Sequence, residues 1–162
     1  MNIHTSTITG IGTATTYAIG DNIGGLLKIT DVAGQKRGTV ELSEIMLINR
    51  NGIVANDYTL FFFDDYPEDS DALLIDDSAF DIHANDFNKL ASVVEIASAD
   101  HTLVETNLSV GYVTELCRHI VCRDKSLYLA VRADDSTTIT SPLVLKLTMS
   151  IDSARPRNTN WG

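Results

Sequence analysis

The sequence predicts an all-β fold, an antiparallel β-sandwich or jelly roll of about eight strands with one short helix and extended terminal arms. Three observations carry that expectation. Short apolar runs recur along the chain, and the last of them, Leu143, Leu145, Leu147, Met149 and Ile151, keeps strict period two. Clusters of Gly, Asn, Asp and Ser separate the runs, and these residues favour turns. The run Tyr58 to Phe63 is apolar on both faces, which fits a strand covered on both sides or one whose second face meets a partner.

A chain of 162 residues fits one domain and can bury a continuous core without disulfides or metals. The organisation read from composition is an N-terminal arm over 1–16, a sandwich over 17–152 and a C-terminal tail over 153–162. Residues 1–16 are threonine-rich and uncharged, with Ile3, Ile8 and Ile11 as scattered apolar positions. Such a segment suits an extended arm that adds as a strand to a neighbour. No basic segment followed by an apolar stretch opens the chain, and no apolar run reaches the roughly 18 residues of a membrane span, so residence in a cytoplasm is expected.

In chain order, residues 17–30 read as a first strand pair broken at Gly24-Gly25, and residues 31–38 as a polar loop. Gly38 to Pro67 reads as a hairpin, because Asn51-Gly52 lies between the run Val40 to Ile48 and the run Tyr58 to Phe63. An acidic loop follows, with Pro67 stopping the strand and Leu73 to Ile75 as a brief edge segment. Residues 81–90 suit one or two helical turns, with Asn85 as cap and Phe87 and Leu90 on one face. Strands are expected again at Ala91 to Ala97, Leu108 to Leu116 and Leu127 to Val131, and Asp134-Asp135-Ser136 reads as a turn into the final strand.

The net charge of -10 is uneven. Residues 61–100 carry eleven acids and one base, whereas residues 1–60 carry five acids and four bases and residues 101–162 six acids and seven bases. Such a field repels phosphate, so direct nucleic-acid binding through this face is not expected. The carboxylates of residues 64–77 raise the question of a calcium site, but the spacing of an EF-hand loop is missing and a solvated loop is the better reading. Cys117 and Cys122 flank His119, yet paired short spacings for a four-ligand zinc site are absent, and both read as free thiols, buried or half-buried. No phosphate-cradling loop or nucleophile elbow appears, and the acids lie in turns rather than a cleft, so no enzyme, no catalytic residue, no metal and no cofactor is expected.

The residues Gly20-Asp21 and Gly24-Gly25, the strand end Leu60-Phe61-Phe62-Phe63 leading to Pro67, and Asp86-Phe87-Asn88-Lys89-Leu90 followed by Val93-Val94-Glu95-Ile96 form an ordered series over about residues 17–151. In this the chain resembles the jelly-roll cement or decoration proteins of tailed bacteriophages. It departs from that pattern at Asn88, where a small residue is expected, and in its Arg- and Trp-containing tail. The resemblance implies a protein made in the host cytoplasm that binds the outer surface of the major capsid protein shell and stabilises the mature head. It also implies a homodimer or homotrimer, with no membrane partner. The expected contact residues are Arg155, Arg157 and Trp161 in the tail, Ile8 and Ile11 in the arm, and Phe62 on the aromatic strand. A tail or head fibre, or a lectin-like sandwich with exposed aromatics beside Asn and Asp, is the alternative.

Overall fold

The structure is a computed structural model and describes residues 2–13, 15–51 and 56–152. Twelve strands lie among the described residues: β1 (Asn2–Ile11), β2 (Thr15–Tyr17), β3 (Asn22–Ile29), β4 (Gly38–Asn49), β5 (Tyr58–Phe63), β6 (Leu90–Ile96), β7 (His101–Glu105), β8 (Leu108–Val113), β9 (Arg118–Cys122), β10 (Leu127–Ala133), β11 (Thr137–Ile139) and β12 (Leu143–Asp152). One sheet runs β1-β12-β4-β8-β7, with β9 also on β4, and the second runs β3-β10-β5-β6. Every pairing in them is antiparallel.

This order is that of a jelly roll. The chain ends pair as β1 with β12, the next elements inward as β2 with β11 and β3 with β10, then β4 with β8 and β9, and β5 with β6. A long ribbon of paired strands has therefore been rolled up so that alternate pairs fall in opposite sheets.

Two expected hairpins are corrected by this topology. β4 and β5 do not pair; they lie in different sheets, and the connection carrying Asn51 crosses between them. The Asn51-Gly52 turn itself falls partly outside the described residues. In the same way β10 and β12 lie in opposite sheets, with β11 between them in sequence. The physical reason is common to both: a strand covered on both sides has no local preference for its sequence neighbour, and the crossing lets both strands supply the same core.

That core lies between the sheets. β4 and β12 alternate buried and half-exposed positions, placing Val40, Leu42, Ile45 and Leu47 beside Leu143, Leu145, Leu147 and Met149. The alternation slips one residue at Ser43–Glu44, opposite the register shift between Thr148 and Met149, and the Ser43 hydroxyl donates to the Thr148 carbonyl there. The second sheet contributes Tyr58, Leu60, Phe62, Leu127, Leu129 and Val131. β3 runs straight through Gly24-Gly25 instead of breaking, because both glycines take positive φ and the register with β10 shifts between Leu129 and Val131.

The N-terminal arm is also corrected. Residues 2–11 are the edge strand of the first sheet, in register with β12 from Asn2↔Ile151 to Ile8↔Leu145 and again at Ile11↔Leu143. The helical turns at 81–90 are a 3-10 segment, Ala84–Lys89, capped by the His83 side chain rather than Asn85, and Phe87 is 61% exposed. A one-turn helix, Glu68–Asp71, occupies the acidic loop, and Leu73 to Ile75 form no strand.

These placements make a direct test. Phe62→Ala should cost about 3–5 kcal/mol in urea unfolding, whereas Phe87→Ala should stay within about 0.5 kcal/mol; similar losses at both positions would contradict the burial pattern.

Candidate interaction surfaces

The outer faces of the two sheets differ in kind, and the difference begins in β5. All six of its residues are buried: Tyr58, Leu60 and Phe62 point into the main core, Phe61 and Phe63 to the other side. There a second cluster forms from Phe61, Phe63, Leu74, Tyr128 and Ala130, with Leu26, Phe80, Ile82 and Leu90 packed against it. Leu74, Phe80 and Ile82 belong to the acidic segment between β5 and β6, so the chain covers this face of its own second sheet. Phe61 and Phe80 stack at 4.4 Å between ring centroids, and the Arg132 guanidinium lies 5.2 Å from the Phe61 ring while pairing with Asp134 at 2.7 Å.

The cover is held by carboxylates whose role is structural. Asp86 is fully buried; its Oδ2 accepts from the Ser70 backbone N–H and hydroxyl, both at 2.7 Å, and its Oδ1 meets Lys89 Nζ at 2.8 Å. The Ser70 hydroxyl in turn accepts from the His83 N–H at 3.0 Å. Burial by itself would push the Asp86 carboxyl up, but the hydrogen bonds from Lys89 and Ser70 outweigh it and hold the group below the usual carboxylate range. At the other end of the segment, Asp76 Oδ1 accepts from the Tyr17 hydroxyl at 2.7 Å and the Gly24 N–H at 2.6 Å, and Oδ2 from the Thr13 hydroxyl at 3.0 Å. A side chain at Gly24 would be strained at φ +84° and would press on β1, its Cβ lying 3.1 Å from Ile11 Cγ2.

The acids of residues 64–77 are thus dispersed among separate partners. Asp64 pairs with Arg123, Asp69 accepts from Asn85, Asp71 from Tyr66, and Asp76 from the junction just described. No cluster of three or more metal-ligating side chains occurs among the described residues.

Among the described residues the first sheet has no such cover. On its outer face Val144, Ile48 and Val110 lie side by side across three strands, and Lys146, Met46 and Tyr112 form the next row. Tyr112 is exposed, and Val144, Ile48 and Met46 are half-exposed. The flanking strand β7 adds exposed Val104. The polar recess bordered by Asn49, Asn51, Asn56 and Thr137 has a lining tied together by hydrogen bonds, with Asn51 Oδ1 accepting from the Thr140 and Ser141 N–H groups and Asn56 donating to Thr137. Its described lining contains no aromatic side chain, unlike the cleft expected of a lectin-like sandwich.

The structure separates the expected contact residues. Ile11 and Phe62 are completely buried in the main core and offer no surface, so both are core positions; the extended conformation of each strand turns them toward the opposite sheet. Ile8 is half-buried beside that core. Arg155, Arg157 and Trp161 lie outside the described residues. Both cysteines are free; Cys122 is buried, and burial pushes its thiol up to about 12, whereas Cys117 is exposed. The outer-face row Val144–Ile48–Val110 escaped the sequence reading, although the half-polar alternation of β4 and β12 contained it.

No family model matches the chain, and no curated protein matches it. Among solved structures, the infectious bursal disease virus VP2 subviral particle is similar at 14% identity and a TM-score of 0.37, over 90% of this chain and 32% of that one. The chain therefore spans about a third of the length of that protein. A structure of maize chlorotic mottle virus is similar at 11% identity and a TM-score of 0.26, over 91% of this chain and 92% of that one.

The cover's lock has a measurable pH signature. Because the folded Asp86 carboxyl lies below its ordinary value of 3.8, its contribution is complete above that value and is lost as pH falls through the lower, folded one. Asp86→Asn should cost roughly 1.5–3 kcal/mol at neutral pH and flatten the loss of stability on acidification below the ordinary value. Thermal melts across that range check it, and a variant as acid-sensitive as the parent would remove Asp86 from the account.

Proposed function

We propose that this chain is a structural component of a virion, a cement protein that binds the outside of a tailed-phage head through the outer face of its first sheet. The observation that carries the reading is the asymmetry of the sandwich. One sheet is sealed on its outer side by the chain's own acidic segment, while the other leaves Met46, Ile48, Tyr112 and Val144 partly open in adjoining rows. An apolar face rimmed by polar residues on an otherwise acidic body suits docking to a large fixed surface.

The residues behind the resemblance to phage cement proteins support the same reading, because they build the sealed side. Gly24 donates to Asp76, Phe61 and Phe63 form the outer cluster, and Asp86 and Lys89 fasten the segment above them. With that side closed and carrying most of the net negative charge, it faces solvent, and the open sheet meets the major capsid protein. Copies of the protein then add their contacts over the shell, each needing roughly 1,000 Å² of buried surface for a specific attachment.

Purified protein incubated with expanded heads that lack it should co-sediment with them and raise their resistance to heat. Met46→Glu with Tyr112→Glu should weaken that attachment at least about tenfold, while Asp69→Asn with Asp81→Asn on the sealed side leaves it unchanged. Failure of the parent protein to bind would overturn the reading; loss only with the sealed-side variant would reverse the assignment of faces.

A further inference from the structure

The two large sheets have five edge strands among the described residues, β1, β7 and β9 in the first and β3 and β6 in the second, and they are not treated alike; β9 has only five residues and begins with the charged Arg118. β3, one edge of the second sheet, is overlaid by the acidic segment: the Asn22 N–H donates to Ser78, the Asn22 carbonyl accepts from Asp77, and Asp21 bridges Ala79. β6, the opposite edge, is seven residues long, carries exposed Glu95 and is irregular near Phe62–Phe63. β7 has five residues, ends in Glu105 and is broken by a register shift after Leu103. Short length, charge, bulges and covering segments are the devices that keep edges from pairing with other chains. β1 has none of them over its outer two thirds. It has ten residues, NIHTSTITGI, with no Asp, Glu, Lys, Arg or Pro, and among the described residues it pairs on one side only, with β12. Its single irregularity, between Ile8 and Ile11, lies at the end nearest the core.

A second feature of the same strand points to what covers it. His4, Ser6 and Ile8 share the core-facing side of the sheet, since they stand opposite buried Met149, Leu147 and Leu145, yet His4 is exposed and Ser6 and Ile8 are only half-buried. The sandwich is open at this corner. Ile3, on the other side, is 77% exposed.

We infer that β1 is the interface through which two copies of this chain form a dimer, pairing antiparallel edge to edge so that the two first sheets become one continuous sheet. The choice of a second copy follows from charge and symmetry. The surplus of -10 lies in residues 61–100, outside β1, so an interface on the uncharged β1 edge opposes no acidic strand residues. An antiparallel pair of identical strands is two-fold symmetric and self-complementary. Across the junction it sets Thr, Ser and Ile against one another, combinations that stabilise cross-strand pairs, with no like charges opposed. The partner's strand also closes the open corner beside His4 and Ser6. This interface is independent of attachment to a head, and it leaves the proposed docking face of the same sheet free.

Sedimentation velocity on the purified full chain, over a concentration series, tests the inference without any shell present. The expected species has about twice the 17.7 kDa of one chain, and added salt should tighten it by screening repulsion. Thr5→Glu with Thr7→Glu should raise the dimer dissociation constant about a hundredfold with an unchanged melt of the monomer. Thr102→Glu with Val104→Glu on β7, the same change in net charge, should leave the dimer intact. A monomer at all concentrations, a trimer, or a dimer sensitive only to the β7 pair would each overturn the inference. So would protection of the β1 amides from hydrogen exchange that persists in a monomer and disappears on deleting residues 153–162, since the edge would then be covered by the chain's own tail.

Discussion

The structure depends on a carboxylate that is buried. Asp86 binds Ser70 through two hydrogen bonds and Lys89 through an ion pair, and in doing so it pins the segment between β5 and β6 over the outer face of the second sheet. Removing one partner from such a buried arrangement leaves the others desolvated and unmatched, which costs more than the intact pair contributes. The segment carries most of the chain's excess negative charge, so its closure works against repulsion among its own acids. Magnitudes decide the balance. Exposed charge interactions amount to roughly 0.2–1 kcal/mol each, whereas each large apolar side chain buried beneath the segment contributes about 1.5–3 kcal/mol. Phe61, Phe63, Leu74 and Tyr128 together outweigh the repulsion, and Asp86 fixes the geometry in which they meet.

From this constraint follows the inequality of the two sheets. A jelly roll has two outer faces, and a chain of this length has one long connection with which to cover them. Because that connection leaves β5 and returns as β6, it can reach only the second sheet, and its passage along β3 covers that edge as well. Among the described residues the first sheet keeps a partly open outer face and an unpaired edge at β1. The placement of apolar residues on that face is therefore a consequence of topology as well as of composition: in the row spanning β12, β4 and β8, Val110 is buried while Val144 and Ile48 stay half-exposed.

Fold class was legible in the sequence because alternation and turn chemistry are local. The period-two run from Leu143 to Ile151 is β12, and the aromatic run from Tyr58 to Phe63 is a strand covered on both sides. Pairing was not legible, because a jelly roll joins strands far apart in the chain: β1 with β12, and β3 with β10. Asn51-Gly52 has the chemistry of a tight hairpin, but chemistry of the turn does not say whether the next strand returns to the same sheet. Residues 1–16 failed for a related reason. An uncharged, threonine-rich stretch suits an arm and an edge strand equally, and only the distant β12 distinguishes them. Asp86 was hidden among many acids that look alike in sequence, although among those whose burial is described it alone is fully buried.

The candidate contact residues separate along the same physical line. Ile11 and Phe62 were attractive as contacts because they are large and apolar, but in a sandwich that property selects for burial first. What remains open to a partner is set by leftover geometry: the face no connection covers and the edge no segment overlays. Surfaces of that kind are modest in apolar content, mixing Met46 and Tyr112 with Lys146, and Ile3 with Thr5 and Thr7. A more apolar face would bind more tightly, but in a free chain it would also associate indiscriminately. On the reading proposed above, acid on the sealed side and restraint on the open side act together, the one keeping the sealed faces of different copies apart and the other limiting contact to partners that match it in shape.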